Sequence, residues 1–227
     1  MIEDKTVVIH NYCRWLNLTE NWIYNQIKYQ PGVIDSHIVC KTLINREAFV
    51  LPNIHCWQNE HKWDRIRIIL SGSIALKGLK RQGAFLRHIA QKTEASLIHS
   101  HFGFTGWQHM DTIQKLGLKH VVTFYGADVN RLPLEQPVWL DQYQTMFGCV
   151  DRVLCEGPHM ADCVVKLGCP RENVHVQHLG VDTESIDFRP REWHPGNPLR
   201  VLIAASFREK KGIPAALDAL GRIQDQV

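Results

Sequence analysis

The chain has 227 residues, of which 44% are hydrophobic, and 26 basic residues stand against 23 acidic ones. This composition is typical of a globular protein with a sizeable core, and the small net charge of +3 argues against nucleic acid as the main partner. No apolar run approaches the roughly 20 residues that a membrane-spanning helix needs.

The sequence favours a cytoplasmic protein. Its first residues, MIEDKTVVIH, carry acids and run directly into a strand-like segment, unlike a signal peptide. The seven cysteines form an odd number and include no Cys-x-x-Cys pair, which fits a reducing compartment better than secretion.

Short apolar runs alternate with longer amphipathic stretches. The runs are rich in Val and Ile, as buried parallel strands tend to be. We interpret as strands the runs KTVVIHNY (5–12), SHIVCKTLI (36–44), RIRIIL (65–70), ASLIHSHF (95–102), KHVVTFYG (119–126), DRVLCEG (151–157), NVHVQHLG (173–180) and LRVLIAAS (199–206). FVLPNIHCW (49–57) contains Pro52, which makes a strand there doubtful or confines it to a sheet edge.

Capping patterns and glycines predict the helices between these runs. They cover about 18–30, capped by Asn17 with Glu20; 72–92; a stretch from a Thr105–Gln108 capping box to Gly117; 158–168, with Pro158 at its first position; and a last helix after Gly212. Repeated strand–helix–strand order predicts an α/β, Rossmann-like fold with a mostly parallel sheet and helices on both faces.

The sequence also predicts an incomplete second domain. Residues 181–198 contain three prolines and little periodicity, which indicates a linker. The 199–227 segment holds one strand and one helix, too little for a core of its own, since domains usually exceed about 50 residues. We therefore divide the chain into a Rossmann-like domain over 1–180, a linker over 181–198 and the first strand–helix unit of a truncated domain over 199–227.

The stretch SLIHSHFGFTGWQ (96–108) is the first candidate site. Side chains at i and i+2 of a strand share one face, so His99 and His101 point the same way, and His101 comes at the carboxyl end of its strand. Ligands of open α/β sheets bind at that edge. Gly103 and Gly106 would allow a tight turn before a helix that begins near 106. Ordinary packed histidines are the alternative.

Two further segments are candidates. Tyr125, Gly126 and Asp128 follow the next strand, where the carboxylate can accept hydrogen bonds from sugar-like hydroxyls; alone, this pattern is more often merely a turn. Arg208 and Lys211 precede a helix, where cations can bind a phosphate or diphosphate, although a solvated charge cluster is the alternative.

The sequence gives weaker signals for nucleotide-binding loops, for a metal site and for membrane contact. No Walker pattern occurs, and no Gly-x-Gly-x-x-Gly follows the first strand. A metal-dependent hydrolase centred on His99 and His101 is an alternative, but its ligand set is incomplete. The basic stretch 77–88 can contact an anionic membrane surface or be an ordinary solvated helix face.

Taken in order, the motifs HSHFGFTG, TFYGADV, EGPHMADCVVKLGCPRENVHVQHLGVD and ASFREKKGI resemble family 4 retaining glycosyltransferases of the GT-B fold. TENWIYNQI (19–27) is similar to a helix start in members that build polysaccharides. The resemblance covers nearly the whole chain. It implies an acceptor-binding domain, a second domain that binds a nucleotide-diphosphate sugar, and no bound metal or other cofactor.

The resemblance also implies roles for individual residues. His101 would be the active-site histidine near the acceptor and the transferred sugar, and Gly180-Val181-Asp182 would begin the linker. The acceptor side would be shaped by Glu20, Gly103, Gly106, Tyr125, Gly126 and Asp128, and the donor diphosphate would be held by Arg208 and Lys211.

The chain departs from the family pattern in two places. Ser206 stands where the family usually has its arginine, and the later Glu-x7-Glu motif is absent before Val227. The resemblance implies that the whole protein moves a sugar, with retention, from a nucleotide-diphosphate donor to a saccharide or lipid-linked acceptor in surface polysaccharide assembly, at the inner face of the membrane. A non-catalytic saccharide-binding or partner module is the other alternative.

Overall fold

A computed structural model describes residues 5–70, 79–192, 194–198 and 200–223. The strands in this part of the chain are β1 (Thr6–Asn11), β2 (Arg14–Trp15), β3 (Ile34–Cys40), β4 (Thr42–Leu43), β5 (Ile54–Cys56), β6 (Leu97–His101), β7 (Lys119–Phe124), β8 (Arg152–Cys155) and β9 (Val174–Val176). The α-helices are α1 (Asn21–Lys28), α2 (Lys62–Leu70), α3 (Leu79–Lys92), α4 (Gly103–Leu116), α5 (Gly126–Asn130), α6 (Leu132–Glu135), α7 (Val138–Phe147), α8 (Pro158–Lys166) and α9 (Ile213–Ile223).

Seven of these strands form one parallel sheet in the order β5-β3-β1-β6-β7-β8-β9. β1 lies between β3 and β6 because the chain first winds towards β5 and then crosses back to β6, so the winding direction switches between β1 and β6. The remaining two strands, β2 and β4, pair with each other in a small parallel ladder. The predicted Rossmann-like α/β fold is confirmed.

Helices cover both faces of the sheet. Ile9 and Ile98 lie side by side on β1 and β6, and α3 and α4 pack against them through Phe85 and Ile113. On the opposite face Ile38 packs against the buried Ile23 of α1. A third cluster fills the space between β7, β8 and helices α4, α7 and α8. This two-sided burial explains why the strand runs are rich in apolar side chains throughout.

Most of the predicted strands are present, including β5 at the edge, two residues after Pro52. The prediction of a strand over 65–70 is wrong, because this run belongs to α2, which packs against α3. Ile68 is buried there among core side chains. A short apolar run has no period that separates a strand from a buried helix, which is the reason for the error.

Residues 126–147, which we did not assign to helices, form three of them, α5, α6 and α7. The predicted helix over 72–92 is present as α3 from Leu79 onwards, and its first part, 72–78, lies outside the described residues. None of the described helices is long and apolar enough to cross a membrane.

The described chain divides into two compact units, Met1–Thr183 and Glu184–Val227. In the second unit α9 is present, but residues 200–206 form no strand, against our prediction. A strand needs a neighbour to pair its backbone N–H and C=O groups. Within the described part of this unit, no second strand offers that pairing.

Candidate functional site

Polar side chains gather where β1, β6 and β7 end. His10 of β1 pairs in register with His99 of β6, and His101 pairs with Thr123 of β7. Because these pairs share one face of the sheet, the three histidine rings lie in one cluster, with centroids 4.4–5.4 Å apart. The predicted alignment of His99 and His101 is therefore present, and His10 is a member that the sequence analysis missed.

His101 uses both of its ring nitrogens. Nε2 lies 3.2 Å from His10 Nδ1, and Nδ1 lies 2.9 Å from the hydroxyl of Tyr125. The ring is 0% exposed, and burial together with the neighbouring histidines holds its pKa well below the usual 6.5. A neutral imidazole carries one proton, so one of the two contacts is a donated hydrogen bond and the other an accepted one.

The other two histidines are also neutral. Burial lowers the pKa of His99 to about 4, and burial together with the repulsion that a protonated His99 would exert lowers the pKa of His10. His99 Nε2 lies 2.7 Å from Thr123 Oγ1, and a hydrogen bond with the side chain of Gln30 opposes the fall in the pKa of His10. His99 is the one ring of the three that is partly exposed.

A group of aromatic rings packs around Tyr125, which itself stacks on His101. Phe102 packs on Tyr12 and Tyr125, with ring centroids 5.4 and 4.7 Å apart, and Trp22 lies 6.0 Å from Tyr125. His101 lies at the carboxyl end of β6, as predicted, but its ring is 0% exposed and stacks on Tyr125, so it does not border an open groove. The segment Tyr125–Asp128 follows the neighbouring strand, and Tyr125 lies beside His101.

Glu20 lies beside this aromatic group. Its Oε2 accepts hydrogen bonds from the hydroxyl of Tyr12, at 2.9 Å, and from the backbone N–H of Asn17, at 3.2 Å. The second bond closes the predicted capping box, which here opens a short 3-10 helix that leads into α1. The carboxylate of Glu20 is half-buried, so it lies at the rim of the site and not within it.

Asp128 connects two helix starts. Its Oδ2 accepts from the backbone N–H of Gly103 at 2.7 Å, and its Oδ1 from that of Tyr125 at 2.8 Å, so it caps both α4 and α5. Burial raises the pKa of Asp128 to about 7, against the opposing effect of these two donors. With 1% of its surface exposed, Asp128 is placed to position backbone and not to touch a sugar hydroxyl.

Gly103 and Gly106 do not form the tight turn that we predicted. Both lie within α4, which begins at Gly103 and not near 106. A Cβ on Gly103 would stand 2.3 Å from Phe124 Cε1, and one on Gly106 would stand 2.8 Å from Val122 Cγ2. These glycines therefore let α4 pack closely on β7. The sharp bend falls on Phe102, whose φ of 72° is rare for a residue with a side chain.

The remaining predicted site residues are exposed. Gly126 is the first residue of α5, and the described atoms leave open space where its Cβ would be. In the second unit, Arg208 precedes a short 3-10 helix that contains Lys211, and Gly212 follows with a φ of 63°. Both cations are exposed.

The opposite face of the sheet carries a second polar group that the sequence analysis missed. Asn11 Nδ2 lies 2.9 Å from His109 Nδ1, and Ser100 Oγ lies 3.0 Å from His120 Nε2. All four side chains are buried. His120 near the start of β7 and His109 within α4 gave no common local pattern, and the sequence could not show which side chains of neighbouring strands lie beside them.

Comparison with known proteins gives a consistent assignment. The family model described as Glycosyltransferase Family 4 matches residues 52–185. The chain is 29% identical over 160 residues to a protein named as a colanic acid biosynthesis glycosyltransferase, WcaL, of Escherichia coli (strain K12), covering 65% of this chain and 39% of that protein. It is 28% identical over 135 residues to the amylovoran biosynthesis glycosyltransferase AmsK of Erwinia amylovora, covering 58% of this chain and 32% of that one.

Solved structures with a similar fold include Anabaena Alr3699/HepE in complex with UDP and glucose, with a TM-score of 0.58 and 11% identity, over 79% of this chain and 46% of that one. They also include MnaA of S. aureus with UDP, with a TM-score of 0.52 and 10% identity, over 75% and 43%. At these identities the likeness shows the fold alone. The chain spans 32–39% of the length of the curated relatives that it matches.

Proposed function

The chain belongs to glycosyltransferase family 4, and from this premise we propose that it supplies the acceptor-binding domain of a transferase that builds a surface polysaccharide. The reaction moves a sugar from a nucleotide-diphosphate sugar to a saccharide or lipid-linked hydroxyl, with retention of configuration. The relatives WcaL and AmsK, which carry names from exopolysaccharide biosynthesis, support the pathway class. The same family assignment favours transfer over the metal-dependent hydrolase that we considered.

The observation that carries the proposal is the hydrogen-bonded pair of His101 and Tyr125 at the carboxyl ends of two neighbouring strands. That edge is where ligands of open parallel sheets bind. A neutral imidazole can accept a proton from a sugar hydroxyl that takes the place of Tyr125, while the contact with His10 holds the ring in position. Glu20 at the rim adds a carboxylate that can accept hydrogen bonds from an acceptor sugar.

We assign the donor diphosphate to Arg208 and Lys211. Both side chains are exposed and positively charged, which suits an anionic leaving group whose charge grows as the sugar departs. In this proposal the cations neutralise that charge, and transfer needs no bound metal. Asp128, Gly103 and Gly106 act indirectly, because they hold the start of α4 against β7.

We also propose that the protein works at the inner face of the cytoplasmic membrane, where a lipid-linked acceptor would lie. Arg81 is exposed within the basic stretch 77–88, and Lys92 is exposed at the end of the same helix, α3. Basic side chains on a helix face attract anionic lipid. Co-sedimentation with anionic vesicles, and none with neutral vesicles at the same salt concentration, is the expected result.

The test is a turnover assay on the whole protein. A panel of nucleotide-diphosphate sugars is offered with saccharide and lipid-linked acceptors, and release of the nucleoside diphosphate is followed together with the anomeric configuration of the product. We expect turnover that needs both donor and acceptor, and a product with the configuration of the donor. Removing the imidazole in His101→Ala should lower kcat by about 10²–10⁴-fold, the usual contribution of a proton-transfer group.

The matched control is His175→Ala, because His175 is an exposed histidine on the edge strand β9. It should keep full turnover. Equal turnover by His101→Ala and the wild type would overturn the role of His101. If the protein binds saccharide but turns over none of the donors, the alternative function, a non-catalytic saccharide-binding module, is favoured.

A further inference from the structure

The three histidines at the sheet centre form a group that sugar transfer does not require as a whole. Each ring offers one nitrogen, and the three nitrogens lie within 4.8 Å of one another. The pair His10 Nδ1 and His101 Nε2 is 3.2 Å apart. Ligand nitrogens in a tetrahedral zinc site, with Zn–N bonds of about 2.0–2.1 Å, stand about 3.3 Å apart. This pair already has the spacing of two ligands.

In two of the rings, the nitrogen that is not assigned to the metal lies within hydrogen-bond distance of a hydroxyl group. His101 Nδ1 lies 2.9 Å from Tyr125 Oη, and His99 Nε2 lies 2.7 Å from Thr123 Oγ1. A histidine that binds a metal through one nitrogen usually donates the N–H of its other nitrogen to a nearby acceptor, which fixes the ring and its tautomer. With these N–H groups donated to hydroxyls, His101 Nε2 and His99 Nδ1 keep their lone pairs.

We propose that His10, His99 and His101 bind one late first-row divalent metal ion, of which Zn²⁺ is the natural candidate. Three imidazoles with no carboxylate among the ligands suit Zn²⁺, Ni²⁺ or Cu²⁺, whereas Mg²⁺ and Ca²⁺ take oxygen ligands. The ion enters past His99, the partly exposed member of the group. Three imidazoles supply three ligands, and a tetrahedral ion has one further coordination position.

Two of the three histidine rings are fixed in place by burial and by the pairing of the strands that carry them. His10 and His101 are 1% and 0% exposed, and the backbone register of two parallel strands fixes their separation. Little side-chain freedom remains to be lost when a metal binds. The ring of His99 then has to close a gap of at most 4.8 Å.

The experiment measures metal binding to this chain directly, so its outcome does not depend on transferase activity. The metal-free chain is titrated with Co²⁺ while its visible d–d absorption is recorded, and Zn²⁺ is then added as a competitor. We expect one Co²⁺ per chain, an absorption typical of a tetrahedral ion with three nitrogen ligands, and complete displacement by Zn²⁺.

Variants identify the ligands. His99→Ala, at a partly exposed position, and His10→Phe, which keeps a ring in the core, should each weaken Co²⁺ binding by more than about 100-fold, because each removes a ligand. Thr123→Val removes only an outer partner and should weaken it by about 10–100-fold. His109→Ala is the control, because this equally buried histidine faces the other side of the sheet and should leave binding unchanged.

Three results would overturn the proposal. The first is a folded wild-type chain that takes up no stoichiometric Co²⁺. The second is binding that persists in both His99→Ala and His10→Phe. Loss of binding in His55→Ala would have the same meaning, since it would move the ion to the edge pair His37 and His55, whose nitrogens lie 3.0 Å apart.

Discussion

The close contact of α4 with β7 makes Gly103→Ala a sharp test of how the site is supported. An added Cβ would stand 2.3 Å from Cε1 of Phe124 and 3.0 Å from Cε1 of Tyr143. Both rings are 0% exposed. An ordinary carbon contact is about 3.5 Å, so the Phe124 ring or the start of α4 has to move by about 1.2 Å.

The magnitude follows from three effects. Overpacking a filled core costs about 1–3 kcal/mol. Displacing Phe124 also disturbs its edge-on contact with Tyr143, whose centroid lies 5.1 Å away, and such pairs contribute about 0.5–1.5 kcal/mol. Replacing glycine by alanine also stabilises the protein by about 0.4–1 kcal/mol, because alanine lowers the conformational entropy of the unfolded chain. The expected net loss of unfolding free energy is about 2–3 kcal/mol.

Thermal and denaturant unfolding of the chain, followed by circular dichroism, measure this loss. At about 2–4 °C per kcal/mol for a domain of this size, Tm should fall by roughly 5–10 °C. Gly126→Ala is the matched control, since Gly126 is also the first residue of a helix and the described atoms leave space for its Cβ. Its stability should change by less than about 0.5 kcal/mol. An unchanged Tm in Gly103→Ala, or equal losses in both variants, would refute the packing argument.

Three further predictions concern hydrogen bonds and protons. Asp128→Asn should lose about 2 kcal/mol in denaturant unfolding, because two backbone donors use its two oxygens and an amide offers only one acceptor. Glu20→Gln should leave stability within about 0.5 kcal/mol in the same assay, because both donors there share Oε2, whereas transferase kcat should fall if the carboxylate charge acts on the acceptor. Burial lowers the pKa of His109 to about 4 and of His120 to about 3, below 6.5, so unfolding takes up protons and stability is lost as pH falls from about 6.5 towards 4. Tm measured against pH should show this loss, and His109→Gln should reduce the proton uptake by about one; a flat profile would contradict it.

The sequence predicted the strands near the site because its signals there are local. The apolar run at 119–124 has glycines on both sides, the run that ends at His101 is followed by Gly103, and Asn17 with Glu20 forms the predicted capping box. Each of these features depends on residues within a few positions of one another. The order of motifs was enough to predict the family, which the comparison confirmed.

What the sequence did not reveal depends on contacts between distant residues. His10 is 91 positions from His101, and only the pairing of β1 with β6 brings the rings together. The bend before α4 was predicted at glycines, but it falls on Phe102, whose ring is held by Tyr12 and Tyr125. Aromatic packing therefore stabilises a backbone shape that local preference would give to glycine.

The enclosure of His101 restricts how one imidazole can serve transfer. Because both of its nitrogens already have partners, a substrate hydroxyl reaches the ring only by replacing one of them. His10 lies within β1, whereas Tyr125 follows the end of β7 at the edge where ligands bind, so Tyr125 is the exchangeable partner. A metal ion instead uses the inner nitrogen that faces His10 and keeps Tyr125 in place. Substrate binding thus requires the Tyr125 hydroxyl to leave His101, whereas metal binding requires it to stay. One chain therefore cannot bind the substrate hydroxyl and the metal ion at His101 at the same time.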